Sequence, residues 1–196
     1  MKTNERYTLP AIALHWLQAG LVLCLLWVGW TMTDMPKGAE RSAAYALHKS
    51  LGLLVLVTTV FRLFWRLRHP APPAPELPAY QARIAGAVHV ALYAFLLLAP
   101  LAGYLASAFT PYAIRFFGLE LPRLAAADSG LNGLFKFLHE TFVWCGAGLI
   151  GLHVAAAAKH ALTGDGSLRR MLPGRHAPEL SSCSIVEQPV PAVDRK

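Results

Sequence analysis

The segment "LHETFVWCGAGLIGLHVAAAAKH", residues 138–160, decides the fold because it is a long apolar stretch that carries histidines. It is longer than the ~20 residues that a helix needs to cross the hydrocarbon core of a bilayer. Its histidines are His139, His153 and His160. Imidazoles that face lipid are disfavoured, so the histidine-bearing face of such a helix should point into a bundle. The segment therefore predicts a membrane helix that lines an internal polar site.

The composition extends this prediction to the whole chain. Of 196 residues, 55% are hydrophobic and only 15% are charged, and the mean hydropathy is +0.42. Apolar runs predict four spanning helices, over residues 11–32, 45–65, 84–109 and 134–162. Pro10 fits a first helical turn, and Pro100 predicts a kink in the third helix. We expect an all-α, integral-membrane four-helix bundle over residues 11–175, after an N-terminal segment of residues 1–10 and before a disordered tail of residues 176–196.

The basic residues indicate how the bundle is oriented. The net charge is +7, but lysine and arginine border the apolar runs and do not form one patch, which argues against a nucleic-acid partner. Connectors rich in lysine and arginine stay on the cytoplasmic side of a membrane. The connector between the second and third helices is the richest, with Arg62, Arg66, Arg68 and Arg83. This connector and both termini are therefore expected to be cytoplasmic.

The cysteines suggest no chemistry of their own. Cys24 and Cys145 lie inside apolar runs and read as packing residues, whereas Cys183 lies in the polar tail. The absence of a CxxC motif disfavours a thiolate metal site and covalent haem attachment. A role for Cys145 beyond packing stays open.

Histidines inside the predicted spans fall into two layers by depth. An outer layer holds His48 and His139, and an inner layer holds His15, His89 and His153. His139 and His153 are separated by fourteen residues, which is about four turns and about 21 Å along nearly one helix face. Facing imidazoles at two depths are suited to the axial ligation of two b-type haems, and depth alone does not choose between the inner histidines. Nearby glycines could leave room for the macrocycles: Gly20, Gly52, Gly103, Gly146, Gly148 and Gly151.

The same histidines are compatible with other roles. They could serve as interhelical hydrogen-bond donors, as a proton relay, or as part of a haem-free transporter. Transporters tend to carry carboxylates in their spans, and here Glu140 is the only one, near a helix end. Arg62, Arg66 and Arg68 could neutralise haem carboxylates or could simply extend to the membrane surface.

Five segments resemble the bacterial cytochrome b561 family, and together they cover about residues 6–174. The segments are "RYTLPAIALHWLQAGLVL", "HKSLGLLVLVTTVFRLFWRLRHPAPP", "HVALYAFLLLAPLAGY", the segment quoted at the start, and "LRRMLPG". The family is similar to the cytochrome b subunits of nickel–iron hydrogenase and formate dehydrogenase. The resemblance implies two non-covalent haems b with iron-ligand pairs His15–His153 and His48–His139. It leaves His89 as a non-ligand that hydrogen-bonds a haem carboxylate or a neighbouring helix.

The resemblance also implies a function in the bacterial inner membrane. The branch that this small chain resembles most oxidises superoxide on the outer side and reduces ubiquinone near the cytoplasmic side, a superoxide:ubiquinone oxidoreductase activity. His160 matches a position near the quinone, with a helix-end residue that reaches the surface as the alternative. Lys37, Arg41 and Arg115 could steer the superoxide anion. The expected partners are membrane lipid, quinone, and either superoxide or a redox protein donor. The alternative function is a non-enzymatic electron relay for another dehydrogenase or a soluble cytochrome.

Overall fold

The chain forms four long helices. A computed structural model describes residues 6–72, 78–122, 124–164, 166 and 168–172. Within these residues lie α1 (Leu9–Asp34), α2 (Ala39–Arg68), α3 (Ala79–Ala108) and α4 (Ser129–Thr163), followed by a 3₁₀ helix, Leu168–Met171. Each α-helix is long and apolar enough to cross a membrane. This confirms the predicted membrane four-helix bundle. The tail of residues 176–196 lies outside the described residues.

All four helices begin earlier than the hydropathy pattern predicted, α1 by two residues and the others by five or six. α2, α3 and α4 start at Ala39, Ala79 and Ser129, whereas the apolar runs start at residues 45, 84 and 134. The first turns of α2 and α3 contain alanine and charged residues, which are good helix formers but are not strongly apolar, so hydropathy misses these turns. The start of α4 is fixed by Asp128, whose carboxylate accepts a hydrogen bond of 2.9 Å from the backbone N–H of Leu131.

The helices pack in sequence order, α1 on α2, α2 on α3 and α3 on α4. Small residues let α3 and α4 approach closely. Ala99 and Ala102 are buried, and Gly146 lies against the Phe95 ring with no space for a Cβ atom. α3 continues through Pro100. Many large apolar side chains on the outside are exposed, as expected of a surface that lipid covers.

At one end of the bundle, the start of α1 contacts both the end of α2 and the 3₁₀ helix. The Trp16 indole N–H donates to the Met171 carbonyl at 2.7 Å, and the Trp65 indole donates to the Thr8 hydroxyl at 3.1 Å. The start of α1, the end of α2 and the 3₁₀ helix therefore lie together. This is the end predicted to be cytoplasmic.

The opposite end carries a small β-hairpin that the sequence analysis did not anticipate. Strands β1 (Arg115–Phe116) and β2 (Leu119–Glu120) pair antiparallel. The turn uses positive φ angles, 47° at Phe117 and 92° at Gly118. The Phe117 N–H donates to the Ser50 hydroxyl at 3.0 Å. The hairpin is therefore anchored on α2, two residues from His48.

Candidate functional site

The outer histidines meet between α2 and α4. The ring centres of His48 and His139 lie 6.1 Å apart, and the ring planes are inclined by 88°. Two metal–imidazole bonds of about 2 Å each, on opposite sides of one metal, set ring centres about 6 Å apart. The spacing of this pair therefore fits axial ligation of one haem iron.

The His139 ring is oriented by α3. Its Nδ1 atom lies 2.7 Å from the carbonyl oxygen of Ala99. A carbonyl only accepts, so Nδ1 carries the proton, and Nε2 of a neutral ring is left free to bind a metal. Gly103, one turn after Ala99, makes this approach possible. A Cβ atom at Gly103 would lie 2.9 Å from Nδ1 and 3.0 Å from Cε1 of His139.

His48 is held in a similar way by α1. A Cβ atom at Gly29 would lie 3.0 Å from Cε1 of His48. Any larger residue at position 29 would therefore push the His48 ring out of this position. The backbone of Leu25 lies near the ring, but the buried Nδ1 atom completes no hydrogen bond of ordinary geometry with any described residue. An unsatisfied buried nitrogen costs free energy. A hydrogen-bond partner for Nδ1, or a metal bound at Nδ1 itself, would remove that cost.

The inner histidines form a cluster of three. The His15 and His153 ring centres are 6.3 Å apart, and those of His89 and His153 are 5.5 Å apart. The Nδ1 atom of His89 lies 2.7 Å from the carbonyl of Ala85 in its own helix. The spacing permits His153 to pair with either neighbour. The exclusion of His89 as a ligand therefore still rests on the resemblance.

Arg62 contacts one of these histidines directly. Its Nη2 atom lies 3.0 Å from Nδ1 of His15, and its Nη1 atom donates to the Gln18 amide oxygen at 2.9 Å. Arginine only donates, so Nδ1 accepts, and a neutral His15 carries its proton on Nε2. Iron ligation through Nε2 requires Arg62 to release Nδ1. The inner pair thus fits a haem by the distance between its ring centres. The outer pair fits by that distance and also because the tautomer of His139 leaves Nε2 free to bind iron.

Two residues that the sequence analysis missed extend this contact into the core. Gln18 and Thr59 are 2% and 0% exposed, and the Gln18 amide donates to the Thr59 hydroxyl. The Thr59 hydroxyl donates to the Val55 carbonyl at 2.6 Å. A buried chain of hydrogen bonds, from Gln18 through Thr59 to the Val55 carbonyl, therefore fixes the position of Arg62. The signal in the sequence was that Gln18 lies three residues after His15, on the same helix face.

The glycines divide into two groups. A Cβ atom would meet no atom within 4 Å at Gly20, Gly52, Gly148 or Gly151. Gly146 and Gly103 instead serve close contacts, with Phe95 and His139. The proposed role of making room for a macrocycle therefore suits the first group.

His160 lies in the last turn of α4, at the end of the bundle where α1 begins, and is half-buried. On α4 it follows His153 by seven residues, which is about two turns and about 10 Å. The structure therefore puts it beyond the inner cluster on the side away from His139.

The three basic residues proposed to steer an anion lie at the outer end. Lys37 is exposed, and the Arg41 guanidinium lies 5.5 Å from the Tyr45 ring centre. Arg115 forms an exposed ion pair with Glu120 at 3.9 Å. Glu120 offsets the charge of Arg115, and Asp34 and Glu40 offset the charges of Lys37 and Arg41. The net charge of these groups therefore gives little support to steering.

Comparison with known proteins relates this arrangement to one family. The sequence profile of the family described as prokaryotic cytochrome b561 matches residues 6–174. Cytochrome b561 homolog 2 of Escherichia coli K12 is 36% identical over 176 residues, covering 87% of this chain and 93% of the relative. Cytochrome b561 homolog 1 of the same strain is 32% identical over 183 residues, covering 87% and 99%. A Yersinia pestis protein named probable superoxide oxidase CybB is 29% identical over 177 residues, covering 87% and 97%.

Proposed function

Because this chain belongs to the prokaryotic cytochrome b561 family, we propose that it is a dihaem cytochrome that carries electrons across the bacterial inner membrane to ubiquinone. Membership of the family makes it a membrane electron-transfer protein and implies haem b. The two-haem proposal is supported by two imidazole pairs at two levels, with ring centres 6.1 Å and 6.3 Å apart. His48 and His139 would hold the outer haem, and His15 and His153 the inner one.

The chain itself would position the two haems and set their reduction potentials. Each bound haem supplies a one-electron carrier. α4 contributes one ligand to each level, so its fourteen-residue interval sets the separation of the levels at about 21 Å. The hydrogen bond from His139 to Ala99 fixes the orientation of that ring and leaves Nε2 free to hold a metal.

At the inner level, Arg62 supplies a positive charge in a buried place. It is held by Gln18 and lies 5.5 Å from the Tyr93 ring centre. If His15 holds the inner haem through Nε2, the Arg62 guanidinium would have to leave Nδ1, and its positive charge would stay close to that haem. A cation beside a haem favours the reduced form, because reduction lowers the positive charge at the iron. This arrangement would draw electrons toward the inner haem.

Beyond the inner haem, His160 would bind the quinone. A histidine can donate a hydrogen bond to a quinone carbonyl and hold a proton close to pH 7. Reduction of one quinone takes two electrons and two protons, so a proton carrier is needed where the electrons arrive. The position of His160 at the end of α4 suits this role.

Superoxide is the proposed electron donor on the outer side. Two superoxide anions would each lose one electron to give oxygen, and the two electrons would reduce one quinone. The name of the Yersinia pestis relative supports this donor. The second candidate, a relay for another dehydrogenase or a soluble cytochrome, is supported by the relatives that are named only as cytochrome homologs.

A pulse experiment separates the two candidates. Purified oxidised protein with its haems is mixed with superoxide, and the b-type absorbance is followed before and after ubiquinone is added. The proposal predicts reduction of the haems within the pulse and their reoxidation by ubiquinone. Haems that stay oxidised with superoxide but are reduced by a soluble cytochrome or dehydrogenase would overturn the superoxide role in favour of the relay.

A further inference from the structure

A basic cavity lies at the end of the bundle where α1 begins and α2 ends. Its volume is about 160 Å³, which is far more than the roughly 10–15 Å³ that holds one water molecule. None of the described residues that line it is acidic. Its basic lining residues are Arg6, Arg62, Arg66 and His69. The cavity therefore has room for a small anionic group and carries the charge to attract one.

Arg6 gives the most specific sign of a ligand. Its Nη1 atom is buried and has no hydrogen-bond partner among the residues that the structure describes. A buried guanidinium N–H without an acceptor costs free energy, and more than a neutral group does. An anionic oxygen in the cavity would provide the acceptor.

Further cations gather around Tyr7. The guanidinium carbons of Arg66 and Arg170 lie 5.6 Å and 5.7 Å from the Tyr7 ring centre. Arg66 forms no ion pair closer than 4 Å with any residue that the structure describes. Like charges held close together repel each other. A bound anion would turn that repulsion into attraction.

The location of the cavity indicates the kind of anion. It lies at helix ends, where the headgroups of a bilayer lie, and its walls include Tyr7 and Trp65, which are residue types enriched at that level. Basic pockets between membrane helices bind anionic lipid headgroups. We propose that this cavity binds the phosphate group of an anionic phospholipid. The proposal requires only membrane insertion and is independent of the electron donor.

Within the cavity, the headgroup would be held by Arg6 and Arg66. Arg66 follows Arg62 by four residues on α2, which is about 6 Å closer to the helix end. Arg62 is already engaged with Gln18 and His15. The lipid site can therefore be tested without changing the arginine that contacts a proposed haem ligand.

The experiment compares lipid retention by three forms of the haem-loaded protein. The test variant is Arg6→Gln with Arg66→Gln. The matched control is Arg68→Gln with Arg83→Gln, which removes the same charge at the same end but at residues that do not line the cavity. Each form is placed in nanodiscs of phosphatidylglycerol or phosphatidylcholine, and retained lipid is counted by native mass spectrometry together with the haem content.

We expect the wild type and the control to retain one phosphatidylglycerol in preference to phosphatidylcholine. The test variant should bind phosphatidylglycerol about thirtyfold more weakly. Its absorbance spectra in the oxidised and reduced forms, and its haem content, should be unchanged. Equal retention by all forms would overturn the proposal. Loss of haem from the test variant with lipid retention unchanged would also overturn it, because the arginines would then serve a haem carboxylate.

Two measurements on the wild type make the test independent of how the variant folds. The preference for phosphatidylglycerol should weaken as salt is raised; a wild type without any such preference contradicts the proposal. Inorganic phosphate is added to protein in phosphatidylcholine discs as the second probe. Tight binding of free phosphate that excludes phosphatidylglycerol would show that the ligand is a soluble anion and would overturn the lipid assignment.

Discussion

The Nη2 atom of Arg62 lies 3.0 Å from Nδ1 of His15, so a permanently charged guanidinium touches one of the four proposed haem ligands. The contact joins α2 to α1 across 47 positions of the sequence. Gln18 fixes the other side of the guanidinium. Electron transfer at the inner level should therefore depend on this arginine.

Replacing Arg62 by glutamine should lower the midpoint potential of one haem and leave the other unchanged. The loss of a nearby positive charge destabilises the reduced haem, by on the order of tens of millivolts. Potentiometric titration of the absorbance measures both potentials. Arg68→Gln is the control, because Arg68 lies on the same helix and stacks over Phe64 at 4.6 Å. Equal shifts in the two variants would show that only the overall charge matters.

Gly103→Ala should remove the outer haem. The added methyl group would lie 2.9 Å from Nδ1 of His139, so the ring could no longer reach the Ala99 carbonyl. Haem content should fall from two to about one per chain. Gly133→Ala serves as the control, because a Cβ atom there meets nothing within 4 Å. Full haem content in Gly103→Ala would contradict the proposed orientation of His139.

Gly146→Ala should destabilise the packing of α3 on α4. A Cβ atom at Gly146 would overlap the Phe95 ring, and overpacking of this kind typically costs about 1–3 kcal/mol. The melting temperature in detergent should drop. Adding Phe95→Leu should restore part of the loss, because the shorter side chain leaves space. If the losses of stability caused by Gly146→Ala and by Phe95→Leu simply add in the double variant, the contact between these two residues is not the cause.

His160→Ala should slow the reduction of ubiquinone while both haems are retained and superoxide still reduces them. The reason is that a hydrogen-bond and proton donor to the quinone is removed. Stopped-flow reoxidation of the haems by ubiquinone measures the effect. Leu162→Ala is the control, since Leu162 is 90% exposed on the same turn of α4. If haem is lost from His160→Ala, this residue is a ligand and the assignment of the inner pair is wrong.

The four helices could be predicted from the sequence because the apolar length of a segment is a local property. The helix starts were less accurate, since the first turn of α2 contains Glu40 and Arg41. The hairpin at residues 115–120 was missed for a different reason. Its strands have two residues each, and its turn takes a positive φ at Phe117, where glycine or asparagine would be expected.

The levels at which the histidines lie along the bundle could be predicted from the sequence, but the contacts of each histidine could not. Counting residues along α4 was enough to place His139 and His153 at two levels. Which side chain faces each histidine depends on how the helices rotate about their axes, and that is set by packing between distant segments. Gly103 and Gly146 look alike in the sequence, yet one faces His139 and the other faces Phe95. For the same reason, the sequence did not show that Arg62 contacts His15 and Gln18, and it did not indicate Gly29.

The central claim is that the chain holds two haems through separate histidine pairs, and haem content per chain tests it most directly. Haem is quantified in the wild type, in His48→Ala, in His139→Ala and in the double variant, with His89→Ala as a histidine control. The account predicts two haems in the wild type and in His89→Ala. It predicts one haem, with the same spectrum, in the other three. A double variant that has lost both haems, or a wild type without b-type absorbance after expression with ample haem, would contradict the account.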